Sequence, residues 1–286
     1  MNQLSFGGLL LSGLLLFTAN IEAQDMSDTA RGLTKVFLNE SYGEDARQKM
    51  DVYLPPDAGP QTKLMVIVHG GAWVRGDKSE FSRYVTALQG LLPNYAFANI
   101  NYRLFRQGTN KFPAQEEDMR AAVAYLESKI GDWGISRKLV LLGASAGAHL
   151  ALLQAYKTTN GIKPLAVVSF FGPTDLREMY ENSPNPDVKP MLRSLLGSDP
   201  AKNPDLYNNS SPVKYVTKNS PPTLLLHGGR DRLVNESQAR LLEEKLRRHG
   251  VPHELKVYPE HGHGWTGPPL FDSFARVAAF LKKHVP

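Results

Sequence analysis

The chain has 286 residues, of which 42% are hydrophobic and 21% charged; this is a globular balance that argues against disorder, and the lack of any repeat or low-complexity tract argues against a solenoid. The net charge is +5 with Lys and Arg scattered, and the densest basic cluster, residues 245–248, falls on an expected amphipathic helix, where it reads as a solvated face and not as a nucleic-acid patch. There is no cysteine, which excludes disulfides, thiolate catalysis and thiolate metal sites and leaves either redox compartment open.

Residues 9–19 form an apolar run of signal-peptide length, too short to span a bilayer as a helix, and Ala23 offers a small residue for cleavage before Gln24. Residues 1–8 contain no Lys or Arg, a departure from the usual signal pattern that leaves an uncleaved anchor as the alternative. The expected organisation is a signal peptide over 1–23, a leader over 24–32 and one α/β domain over 33–286. The mature protein is then secreted or periplasmic, with no stable membrane span.

Runs at 33–38 and 48–54 around a turn at 41–45 predict an antiparallel hairpin, which Pro55-Pro56 ends. Leu64-Met65-Val66-Ile67-Val68 has the unbroken apolar pattern of a strand buried on both faces. A helix is expected over 78–92 and a strand over 95–101. Pro113 heads a helix over 114–130, in which Met119, Val123 and Leu126 recur at helical spacing. Next come a strand at 139–142, a helix at 146–156 and strands at 165–170 and 223–226. A helix at 235–249, a strand at 253–258 and a helix at 271–284 complete the chain. Residues 174–221 are rich in Pro, Asn and Ser; they read as irregular, and the length suits an inserted cap or lid better than a simple crossover. The alternation predicts a three-layer α/β/α sandwich, its sheet mainly parallel with antiparallel strands at the N-terminal edge.

Gly143-Ala144-Ser145-Ala146-Gly147 lies between the strand at 139–142 and the helix at 146–156. A serine on so sharp a turn needs small neighbours, and the helix N-terminus beside it favours negative charge. A hydroxyl is a weak nucleophile until a base takes its proton, and the base needs a carboxylate. In chain order Ser, acid, base, the candidates are Asp231, in the loop after the strand at 223–226, and His263, in the loop after the strand at 253–258. His261 competes with His263, which is preferred because glycines on both sides free its ring. His261 and His263 also invite a metal reading, but two imidazoles do not complete a site, so no metal is assigned. His69-Gly70-Gly71-Ala72-Trp73 follows a buried strand, and the amides of Gly71, Ala72 and Ala146 are the expected oxyanion donors. His69 itself reads as a structural member of that loop. Trp73 is expected either to wall a substrate pocket or to pack in the core.

Together with Asn101-Tyr102-Arg103-Leu104, Gly172-Pro173-Thr174-Asp175-Leu176 and His227-Gly228, these motifs make residues 33 to 284 resemble the α/β-hydrolase fold. The chain is most similar to the esterase branch related to hormone-sensitive lipase and, within it, to bifunctional feruloyl and acetylxylan esterase-like proteins. Ala72 departs from that branch, which has a third glycine there. The resemblance implies hydrolysis of carboxylic esters without a cofactor, with acetyl or feruloyl esters of plant polysaccharide, or other small acyl esters, as substrates. An arylformamidase and a peptidase are the alternative hydrolases, and a non-catalytic binding protein on a hydrolase scaffold the alternative of another class.

Overall fold

The middle strands of the sheet are apolar on both sides, and this dictates the architecture. In β3 (Lys63–Val68), Leu64, Val66 and Val68 enter one hydrophobic core while Met65 and Ile67 enter another. In β5 (Leu139–Ala144), Leu139 and Leu141 join the first core, Val140 and Leu142 the second. Successive side chains leave a strand on opposite faces, so such a run requires helices on both. The structure, a computed structural model describing residues 35–286, supplies them. The expected signal peptide at 1–23, its cleavage point and the leader at 24–32 lie outside the described residues.

On one face lie α2 (Ala114–Trp133), α3 (Ala146–Lys157) and α7 (Ser237–Arg248); on the other lie α1 (Ser82–Leu91) and α8 (Pro268–His284). The remaining strands are β1 (Lys35–Ser41), β2 (Lys49–Leu54), β4 (Tyr95–Ile100), β6 (Pro164–Phe170), β7 (Thr223–Gly228) and β8 (His253–Tyr258). They form one sheet in the order β1-β2-β4-β3-β5-β6-β7-β8. The β1–β2 and β2–β4 pairs are antiparallel and every other pair is parallel. Because β3 lies between β4 and β5, the strand order reverses there, and in open α/β sheets ligand sites collect at the carboxyl ends of strands around such a point.

The segment at 174–221 is not irregular. It folds into α4 (Leu176–Asn182), α5 (Val188–Leu196), α6 (Pro204–Asn209) and a 3-10 turn at Pro212–Tyr215. Polar and glycine residues of this segment serve as helix ends. Asp175 accepts from the amides of Arg177 and Glu178, Asn203 accepts from that of Leu206, and Gly197 stops α5 at φ 83°. Leu176, Met179, Leu192, Leu195 and Tyr207 carry the insertion into the core shared with α2 and α3.

Helix boundaries also differ from expectation. Residues 78–81 form a separate 3-10 turn under a capping box made by Asp77 and Glu80, and α1 starts only at Ser82. α8 begins at Pro268, since proline is tolerated where a helix has no amide bond to lose. In α7 Leu246 is buried, whereas Arg247 and Arg248 both bond Glu244 on the exposed side, a solvated face as expected. Among the described residues no helix is long and apolar enough to cross a membrane.

Candidate active site

Ser145 stands between the last residue of β5 and the first of α3, with φ 54° and ψ −122°. A non-glycine residue held there stores roughly 1–3 kcal/mol of backbone strain, and its surroundings must enforce it. They do so from both sides: the Ser145 amide donates to the Phe170 carbonyl at 2.8 Å, and the Ser145 carbonyl accepts from the His149 amide at 3.1 Å. The flanking glycines are compulsory because the backbone crosses itself here. A Cβ on Gly147 would fall on the carbonyl oxygens of Val68 and His69, and one on Gly143 would fall on Gly147.

Asp231 lies in the loop after β7, its side chain fully buried. One carboxylate oxygen accepts from the amides of Leu233 at 2.8 Å and Val234 at 3.0 Å; the other accepts from His263 Nδ1 at 2.7 Å. An ionised carboxylate can only accept, so Nδ1 carries a proton, and in the neutral ring this leaves Nε2 bare. That bare nitrogen lies 2.9 Å from Ser145 Oγ, placed to take the hydroxyl proton as the oxygen attacks. Three residues far apart in sequence are thus joined by one line of hydrogen bonds. His261 takes no part in it; its ring stands near Tyr258 and Trp265. His227 lies behind Asp231. Its Nε2–H donates to the Val234 carbonyl at 2.8 Å and passes 3.5 Å from Asp231 Oδ2. Burial holds His227 below the ordinary histidine range, so this contact is between a neutral ring and a carboxylate and is not an ion pair.

The loop at 69–73 follows β3, whose register sets Val68 beside Gly143. A Cβ on Gly70 would lie 3.3 Å from that of Ser145, so the loop packs directly on the Ser145 turn. Gly71 and Ala72 are half-exposed with φ of 101° and 53°, and Ala146 opens α3. Through Gly70 the loop that carries Gly71 and Ala72 adjoins the Ser145 turn, and Ala146 is the next residue in the chain. Trp73 needs a correction. At 1% exposure it packs in the core, edge-on to His149 with ring centroids 5.1 Å apart, and presents no open pocket wall. Its backbone lies in the left-handed region at φ 61°.

Sequence reasoning missed the residues that brace this loop. The Tyr102 hydroxyl is shared between the carbonyls of His69 at 3.1 Å and Gly70 at 3.0 Å, and its ring stacks on His69 at 4.4 Å. Arg47, from the turn between β1 and β2, reaches the Gly76 carbonyl at 2.7 Å, Asn101 Oδ1 at 3.2 Å and His69 Nε2 at 3.3 Å. Arg103 is anchored on buried Asp118 through its Nε at 2.8 Å. The Asn101–Tyr102–Arg103 motif was visible in the sequence, but its task became apparent only once β4 was set beside β3.

His69 and His149 are buried and neutral, and desolvation lowers each to about 4 from the usual 6.5. Their folded-state values lie below the unfolded value, so the unfolded chain binds more protons as pH falls below about 6.5, and stability declines. Between pH 7 and pH 5 each histidine is expected to remove about 2 kcal/mol of unfolding free energy. Urea titrations at the two pH values check this, and His149→Gln should flatten the dependence; an unchanged unfolding midpoint would contradict it.

Known proteins resemble this chain in sequence and in fold. A family model described as BD-FAE matches residues 50–246, a span that includes Ser145 and Asp231 and stops short of His263. Esterase LipC of Mycobacterium tuberculosis is 27% identical over 244 residues, covering 78% of this chain and 58% of its own length. Esterase LipQ of the same organism is 28% identical, covering 73% of this chain and 52% of its own length. The chain thus spans about half the length of these curated relatives. Among solved structures, a truncated form of a carbohydrate esterase from gut microbiota superposes with a TM-score of 0.77 at 25% identity, covering 88% of this chain and 97% of that one.

Proposed function

Because the chain belongs to the BD-FAE family, we propose that it is a serine hydrolase cleaving carboxylic esters, with acetyl or feruloyl groups on plant polysaccharide as its substrate class. The single observation that carries the proposal is the hydrogen-bonded line from Ser145 Oγ through His263 to the buried carboxylate of Asp231. Ser145 attacks the ester carbonyl as His263 Nε2 takes its proton, and Asp231 stabilises the imidazolium that results. The tetrahedral oxygen lies against the amides of Gly71, Ala72 and Ala146, donors commonly worth ~3 kcal/mol each. His263 returns the proton to the departing alcohol, and water, deprotonated by the same imidazole, frees the acid from Ser145.

The substrate class is supported by the carbohydrate esterase among the structural relatives and by the apolar run at 9–19. That run also leads us to propose export from the cytoplasm, where polysaccharide is met. A panel of acetyl and butyryl esters, methyl ferulate, acetylated xylan and N-formylkynurenine tests the substrate reading, and the presence of the protein outside the cytoplasm of expressing cells tests export. Turnover of acetyl and feruloyl esters is expected; preference for N-formylkynurenine would replace the carbohydrate reading with an arylformamidase.

A further inference from the structure

Phe171 follows β6 and belongs to none of the roles above, yet it touches the base. Its ring meets the His263 imidazole at 4.7 Å between centroids and 61° between planes, and Trp265 at 5.4 Å. A Cβ added to Gly264 would lie 3.9 Å from the tip of the same ring. The ring is half-buried, beside Ser145 and His263, which are half-buried as well.

Its backbone is unusual. Phe171 has φ 43°, a region that a bulky residue seldom enters. The neighbours enforce it: the Phe171 amide donates to the Leu226 carbonyl at 2.7 Å, the preceding carbonyl is held by the Ser145 amide, and a Cβ on Gly172 would run into Ala148 and Ser169. The adjacent Phe170, 5% exposed, already supplies an aromatic ring to the core. Phe171 also packs against that core, but it stays half-buried and its ring meets the His263 imidazole, so it does more than fill the core.

The side of the ester it faces follows from the chemistry. His263 Nε2 must hand its proton to the departing oxygen, so that oxygen comes to lie beside the imidazole and its substituent runs over the surface around His263. Phe171 and Trp265 form that surface, and Trp265 is held in place by its Nε1–H donating to Ser273 Oγ at 2.8 Å. The amides of Gly71, Ala72 and Ala146 serve the other oxygen. We propose that Phe171 is the specificity-determining residue for the alcohol half of the ester, offering its face to alcohols that carry a ring or other flat apolar surface. This rests on the ester hydrolase function proposed above.

The test varies the alcohol while the acyl group stays acetyl. For Phe171→Ala, the ratio of kcat/KM for benzyl acetate to that for ethyl acetate is expected to fall about tenfold, the worth of one good aromatic contact. Phe171→Leu, which keeps most of the volume without the flat ring, should lower the ratio by a smaller factor and guards against misfolding of the alanine variant. Phe171→Tyr should preserve it. A ring that merely steadied His263 would slow both esters alike, so an unchanged ratio at reduced overall rate would overturn the proposal. Inactivity of the unaltered protein on every ester would instead overturn the ester hydrolase reading, and this inference with it.

Discussion

Replacing Ser145 by alanine is expected to abolish ester turnover, lowering kcat by about 10⁴- to 10⁶-fold with little change in fold. The alanine keeps the same turn, so what is lost is the oxygen 2.9 Å from His263 Nε2. His263→Ala should cost about as much, and the double variant no more than either single one, because the groups act as a unit. Asp231→Asn is the more discriminating change. The amide would present its own N–H or a weaker acceptor to His263 Nδ1, where the carboxylate now accepts at 2.7 Å. The imidazole then loses the tautomer that leaves Nε2 bare, and a fall of about 10⁴-fold is expected. Steady-state kinetics on a phenyl or nitrophenyl acetate measure all four variants. Turnover by the Ser145→Ala protein equal to that of the unaltered chain would remove Ser145 from the chemistry.

Gly147→Ala is expected to damage both stability and rate. The added methyl would occupy the space of the Val68 and His69 carbonyl oxygens, so α3 must shift away from the end of β3. Overpacking of this kind costs about 1–3 kcal/mol, and here the collision is with backbone that cannot rotate aside. The shift carries Ser145 and the Ala146 amide with it, away from Gly71 and Ala72. A displacement of about 1 Å at reacting groups can cost 10²-fold in kcat. Gly90 is the matched control: it lies in α1 and a Cβ there meets nothing within 4 Å. Gly90→Ala should raise stability by about 0.5–1 kcal/mol and leave kcat alone. Urea unfolding and kcat for the pair decide the matter; equal behaviour of the two variants would show that the crossing at Gly147 tolerates the methyl.

Much of this was legible in the residues themselves, for local reasons. Apolar runs without alternation announce strands that need cover on both faces, and β3 and β5 divide their side chains between two cores as that pattern demands. A small-x-Ser-x-small turn constrains its own backbone, so Ser145 could be named without a fold. Asp231 and His263 could be named because a nucleophilic serine requires an acid and a base in loops that follow strands. Choosing His263 over His261 rested on flexibility, and the structure gives the geometric reason: of the two rings, that of His263 spans the gap between Ser145 and Asp231.

What stayed hidden depends on contacts between distant segments. Arg47 and His69 are 22 residues apart, Tyr102 and Gly70 are 32 apart, and no local pattern marks either pair. The helices at 174–221 were masked because Asp175, Asn203 and Gly197 look like loop residues until they are seen at helix ends. Trp73 is buried in the core and Phe171 stays half-buried against His263, and both hold positive φ angles that no local pattern announces. Periodicity and turn chemistry act over a few residues, and they pointed to the strands, the layers and the three candidate residues Ser145, Asp231 and His263. The direction in which a side chain leaves a strained loop is settled by the elements packed around it, which only the folded chain brings together.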